Sequence, residues 1–172
     1  SGRGQFAGHL GLYRWGGGAV LAKKGGEVLE LASKTKSTDP KFWLQLGEVM
    51  TRLYLKEDGT SEPAQVEKMN TSYRRAAELG GDDALTQAKV GDYFVLSRQV
   101  KEAIPFYLAA LRQGLDGDEP ALNTLREKLA RAFVIADDND RAIEMLEEVV
   151  AEHPTRFETY ELLGELYLKK GD

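Results

Sequence analysis

Cysteine is absent from the 172 residues and histidine occurs twice, as His9 and His153. Disulfides are therefore excluded, and a structural zinc site lacks its usual ligands. No apolar stretch approaches the roughly 18 residues needed to span a membrane. The nearest, Trp15 to Ala22, is short and has glycine at 16, 17 and 18. No secretory leader pattern follows Ser1-Gly2. Basic runs are missing as well. Lys and Arg number 23 against 28 Asp and Glu, giving a net charge of −5, and the pairs Arg74-Arg75 and Lys169-Lys170 stand alone. Nucleic-acid binders concentrate cations on one face. Neither nucleic acid nor a membrane is thus an expected partner. Alternation at period two is also lacking, so no sheet is expected.

Motifs of chemistry are equally scarce. Asp137-Asp138-Asn139-Asp140, with Glu148 twelfth from Asp137, has the outline of a calcium loop. The required glycine is missing and Arg141 takes a ligand place, so the segment reads as a helix-capping turn. No glycine cluster precedes Lys-Ser or Lys-Thr, and Gly16-Gly17-Gly18 follows no strand, so phosphate and dinucleotide sites have no context. His153 precedes Pro154 at a helix end, where a cation favours the dipole. The expectation is a chain without catalytic residues, metal or cofactor. An enzyme with its site in the glycine-rich head or in an inserted loop is the remote alternative.

What the chain does have is helical text. Residues 1–26 are glycine-rich yet carry Phe6, Leu10, Leu12, Tyr13 and Trp15, which a free linker seldom needs. Interior glycines each cost up to about 1 kcal/mol in a helix, so this head is not expected to be a stable helix alone. A short helix is expected from Glu27 to near Lys36. Asp39-Pro40 then supplies a cap and a first-turn proline for a helix to about Leu55. Further helices are expected over Pro63–Leu79, Ala84–Leu96, Val100 to before Gly114, Pro120–Ala136, from after the Asp137–Asp140 turn to Pro154, and onward to Lys170. Thr155 and Glu158 have the spacing of a capping box for the last of these. Lys56–Ser61 and Gly114–Glu119 read as loops.

Small residues on these helices recur. Ala130 and Ala142 are 12 apart, Ala142 and Gly164 are 22 apart, and Gly91 and Ala103 are again 12 apart. Twelve and 22 make 34, the period of a helix-turn-helix repeat. Around these positions run two phrases. Tyr160, Leu163, Gly164 and Tyr167 spell aromatic-x-x-Leu-Gly-x-x-Tyr, and Trp43, Leu46, Gly47 and Met50 repeat it with a methionine last. Val90, Gly91 and Phe94, and Leu129, Ala130 and Phe133, give shorter forms. Ala103, Tyr107 and Ala110 spell Ala-x-x-x-aromatic-x-x-Ala, matched loosely by Ala142, Leu146 and Val149 and by Met69, Tyr73 and Ala76. Helices approach to about 8–10 Å, and glycine or alanine permits the close end of that range.

These residues resemble the tetratricopeptide repeat (TPR) family over roughly residues 40–172. The phrase from Tyr73 to Gly80, with Ala84-Leu85, has some character of the SEL-like relatives. The resemblance implies an all-α, right-handed solenoid of antiparallel helix pairs, about three and a half repeats long. It divides the chain into 1–39, the head and short helix, and 40–172, the array (40–83, 84–122, 123–156 and an incomplete 157–172). Gly47 to Met69 is 22 residues instead of 12, so ten are inserted in the first repeat. Ala103 to Ala130 is 27 instead of 22, which lengthens the Gly114–Glu119 loop.

In this family the first helix of each pair lines a groove that takes a peptide or partner helix. By resemblance the row is Leu44, Gln45, Glu48, Arg52, Leu85, Lys89, Asp92, Leu96, Thr124, Lys128, Arg131, Ile135, Glu161, Leu162 and Glu165. Leu85, Ala88, Val95 and Leu96 form a second apolar stripe on their helix, beyond the one stripe a core needs. The row is basic at Lys89, Lys128 and Arg131 and acidic at Glu158, Glu161 and Glu165. Glu48 and Asp92 stand where the chaperone-tail version of the groove carries asparagine, which argues against an acidic C-terminal tail. The expected function is a non-enzymatic protein-interaction scaffold. The alternative is self-association, or docking onto a longer protein, through the last helix or the N-terminal head. The chain stops where a TPR turns into its next helix, so Leu163, Leu166 and Tyr167 are expected to lack a cover.

Overall fold

The computed structural model of the chain describes residues 18–171. Phe6, His9, Leu10, Leu12, Tyr13 and Trp15 of the head lie outside the described residues. The chain divides into two units between Ser37 and Thr38. In the first, α1 spans Gly18–Ser33. It begins nine residues before the expected start at Glu27 and runs through Gly25 and Gly26. The good helix formers Ala19, Leu21, Ala22, Lys23 and Lys24 outweigh the two glycines. The helix stops at Ser33, whose hydroxyl bonds the Glu30 carbonyl at 2.7 Å.

The second unit holds seven α-helices: α2 Pro40–Tyr54, α3 Pro63–Leu79, α4 Ala84–Leu96, α5 Val100–Gln113, α6 Glu119–Ile135, α7 Asn139–Glu152 and α8 Phe157–Lys170. Local chemistry explains the boundaries. The Asp39 carboxylate accepts from the Lys41 N–H at 3.0 Å, and Pro40 opens α2. Gly80 ends α3, donating to the Ala76 carbonyl at 2.8 Å. Asp118 and Asp138 accept from Ala121 and Arg141 N–H groups at the starts of α6 and α7. Such side-chain caps satisfy donors that a helix start leaves orphaned. Asp83 precedes α4 but spends its carboxylate on the Thr86 hydroxyl, at 2.6 Å. The expected Thr155–Glu158 box does not form, and α8 starts after Arg156.

The helices pack as sequential pairs, α2 with α3, α4 with α5 and α6 with α7, while α3·α4, α5·α6 and α7·α8 contacts join one pair to the next. Their close approach rests on the small residues. A Cβ on Gly47 would lie 2.8 Å from a Tyr73 ring carbon, and one on Gly91 would lie 2.5 Å from the Tyr107 ring. In the third pair Ala130 takes the glycine's place, and Leu146 takes the tyrosine's; both are fully buried. Tyr107 follows Gly91 by 16 residues and Leu146 follows Ala130 by 16, while Tyr73 follows Gly47 by 26. The ten-residue insertion is thus absorbed without changing which residues meet.

That insertion is docked. Gly59, at φ 84° and buried, lies so close to α4 that a Cβ there would come 2.6 Å from the Leu96 carbonyl oxygen. The Gly114–Glu119 loop contains a short 3-10 turn at Leu115–Gly117. At the far end Leu166 is 3 % exposed, so it packs into the core and is not uncovered as expected. Leu163 and Tyr167 are half-buried, and the Tyr167 hydroxyl donates to Glu147. The most exposed apolar groups of α8 are instead Phe157 and Leu168, at 72 % and 80 % exposure.

Candidate partner-binding groove

Side chains of the first helices α2, α4 and α6 line two adjoining concavities. The one between α4 and α6 is a hollow of about 330 Å³ lined by Asp92, Val95, Leu96, Val100, Tyr107, Lys128, Arg131, Ala132 and Ile135. Five expected row residues, Asp92, Leu96, Lys128, Arg131 and Ile135, meet here. A smaller adjoining concavity, of about 220 Å³, gathers Glu48, Tyr73, Lys89, Asp92, Tyr93 and Leu96. Leu96 and Ile135 are 56 % and 58 % exposed, and Val95 is 40 % exposed. Helical periodicity accounts for this. Val90, Gly91 and Phe94 face inward to α5 and are buried, leaving Val95 and Leu96 on the outer flank.

The other expected residues fall elsewhere. Leu44 is 8 % exposed and belongs to the packing, so its place in the row is corrected. Leu44 and Glu127 each stand three residues before their helix's small residue, and both are buried. For Glu127 that register points into the seam between successive pairs, where it meets Arg156 and Thr159. Glu161 holds the same register in α8 and is exposed. Leu85 lines a separate hollow with Asp82, Asp83, Asp116 and Asp118. Gln45 and Arg52 of α2, Thr124 of α6, and Glu161 and Glu165 of α8 are exposed, while Leu162 is half-buried; none lines the two row concavities.

The electrostatics of the hollow differ from a simple sum of side chains. The Tyr107 hydroxyl donates to Asp92 Oδ1 at 2.7 Å, and Lys128 Nζ donates to the same carboxylate at 3.0 and 3.3 Å. Burial, then the bond to Asp92 and its charge, push the Tyr107 phenol well above its usual range, so it stays a donor. Lys128 is therefore spent on Asp92 and does not stand as a free cation. Lys89 and Arg131 are exposed, and no described residue forms an ion pair with either.

Two clusters of long-range contacts, which the sequence does not announce, tie these helices together. Glu127, in the seam, takes Arg156 at 2.6 Å and the Thr159 hydroxyl at 3.2 Å, tying α6 to α8. Tyr73 stacks on Tyr93 at 4.0 Å, and its hydroxyl meets that of Thr51 at 3.0 Å. Each links residues 20 or more apart, which no local pattern announces. Among the described residues no group of three His, Cys, Asp or Glu could hold a metal, and no helix is long and apolar enough to cross a membrane.

No protein-family model matches the sequence, and no curated protein matches it. Solved structures do. A putative kinesin light chain of Podosopora anserina with nearly identical TPR-like repeats is 18 % identical, over 97 % of this chain and 87 % of that one, at a TM-score of 0.60. MamA from Desulfovibrio magneticus RS-1 is 18 % identical, over 94 % and 85 %, at 0.56. YrrB, a TPR protein with an unusual peptide-binding site, is 18 % identical, over 83 % and 66 %, at 0.55. At these identities the likeness establishes the fold. The chain is an array of sequential helix pairs, all-α among the described residues, with the fold of these TPR structures.

Proposed function

We propose that the row of first helices is a binding groove that takes a peptide or helix of a partner protein, with no reaction performed on it. One observation carries this reading. Leu96 and Ile135, from successive pairs, stand more than half exposed at the rim of one hollow, with Val95 beside them. Water contact costs a leucine or isoleucine about 1.5–3 kcal/mol relative to full burial, so a covering partner recovers roughly half of that at each anchor. The rigid helices beneath hold the anchors in place before a ligand arrives, which limits the entropy lost on binding. The test compares proteins retained by the wild-type chain with those retained by the double variant Leu96→Asp/Ile135→Asp, with Leu168→Asp as a surface control. A partner held by wild type and control but lost by the double variant supports the groove. A partner held equally by all three removes it.

A second reading, self-association through α8, is favoured by the exposure of Phe157 and Leu168 and by the open space around Gly164. Sedimentation over a wide range of concentrations distinguishes it, and a monomer throughout would reject it.

A further inference from the structure

We infer that the partner segment is acidic: an amphipathic stretch whose apolar side chains seat on Leu96 and Ile135 and whose flanking carboxylates meet Lys89 and Arg131. This rests on the groove reading and adds the chemistry of its ligand. The inference comes from which charges of the hollow are already used. Asp92 is the sole acid lining the α4–α6 hollow, and Lys128 and the Tyr107 hydroxyl satisfy it. The anion and one cation of the site therefore cancel before any ligand arrives. Arg131 on α6 and Lys89 on α4 remain exposed, on the same face as the apolar anchors and without ion-pair partners among the described residues.

A cation beside a half-exposed leucine rewards a ligand that carries a carboxylate near an apolar side chain, and repels one that carries lysine there. The basic zone is short. Glu48 of α2 shares the neighbouring concavity with Lys89, and Glu158, Glu161 and Glu165 occupy α8. An acidic segment is thus positioned over α4 and α6 and turned away from both ends of the row. This is a statement about internal side chains, since nothing in the hollow gathers cations around a single terminal carboxylate.

The probes are three synthetic peptides with one shared leucine pattern at helical spacing, whose polar positions are all Glu, all Gln or all Lys. Each is titrated into the whole chain by calorimetry at low and high salt, with backbone amide shifts recorded alongside. The Glu peptide is expected to bind about tenfold tighter than the Lys peptide at low salt, since reversing two exposed pairs from attraction to repulsion is worth on the order of 1–2 kcal/mol. The advantage shrinks as salt screens it. The double variant Lys89→Glu/Arg131→Glu, both surface positions, reverses the order. Amide shifts cluster at Val95, Leu96 and Ile135. If the Lys peptide binds those residues as tightly as the Glu peptide, the acidic partner is overturned and the groove stands. If the peptides bind but shift amides elsewhere, or none binds, the groove reading falls too. Shifts at Leu96 and Ile135 that follow protein concentration without peptide would give the hollow to a second copy, which also overturns the inference.

Discussion

Alanine in place of Gly91 should destabilise the array, although alanine is the better helix former by about 1 kcal/mol. The new Cβ would lie 2.5 and 2.6 Å from Tyr107 Cε1 and Cδ1. That is about 1 Å inside an ordinary carbon–carbon contact. The ring cannot step aside freely. It is 1 % exposed, and its hydroxyl is held at 2.7 Å by an Asp92 that Lys128 also holds. Overpacking of this kind costs about 1–3 kcal/mol, so the net loss should be up to about 2 kcal/mol after the helical gain. The third pair shows the remedy, since alanine at 130 meets leucine at 146 there, and both are fully buried. Tyr107→Leu alone should also destabilise, because it leaves space and strips Asp92 of a donor. The double variant Gly91→Ala/Tyr107→Leu should then cost less than the sum, with a coupling of about 1 kcal/mol or more. Gly164→Ala is the matched control. Nothing lies within 4 Å of its Cβ, so the same substitution in α8 should be neutral or stabilising. Urea unfolding followed by far-ultraviolet circular dichroism measures all four. Additive single effects, or a Gly91→Ala that behaves like Gly164→Ala, would refute the close-approach argument.

Other outcomes follow from single contacts. Gly59→Ala places a side chain at φ 84° and 2.6 Å from the Leu96 carbonyl, and should lower stability by about 2–3 kcal/mol; an unchanged unfolding midpoint would mean that the inserted loop is not docked. Glu127→Gln removes the charge facing Arg156, and should cost about 1–2 kcal/mol because Arg156 is only partly exposed. Hydrogen exchange should quicken in α8 first, and uniform quickening across α4 and α5 would count against the clamp. Burial pushes the Tyr73 phenol up to about 12 and raises those of Tyr93 and Tyr107. In the unfolded chain phenols titrate near 10, so above that pH the unfolded state releases protons that the folded state keeps. Stability should be at its full value below pH 10 and fall above it, by up to about 1.4 kcal/mol per pH unit for each phenol. Equal stability at pH 9 and pH 11 would contradict the burial argument.

The reach of the sequence can be seen element by element. Pro63, Gly80, Asp83 and Ser97 bracket α3 and α4 so strongly that both helices fall where the punctuation puts them. The start of α1 was obscured because its glycines hide a run of good helix formers. Thr155 looked like a cap, but Arg156 is drawn to a buried Glu127 across the seam, and the helix begins after it. Small-residue spacing located the pairs because it reflects direct helix contact. It could not tell groove from seam, since Leu44 and Gln45 are neighbours in sequence and differ by one helical step in facing. Lys128 and Asp92 are 36 residues apart, so the neutralisation that leaves Arg131 and Lys89 as the exposed cations of the site was invisible until the helices were stacked.

A groove on the first helices requires that partners arrive at Leu96 and Ile135. Photo-crosslinking tests it most directly, with a photoreactive residue placed singly at Leu96 and Ile135, and at Glu78 and Glu144, which are exposed on second helices. Crosslinked partner proteins are expected from positions 96 and 135 and background from 78 and 144. Equal yields at all four positions, or yields confined to 78 and 144, would contradict it.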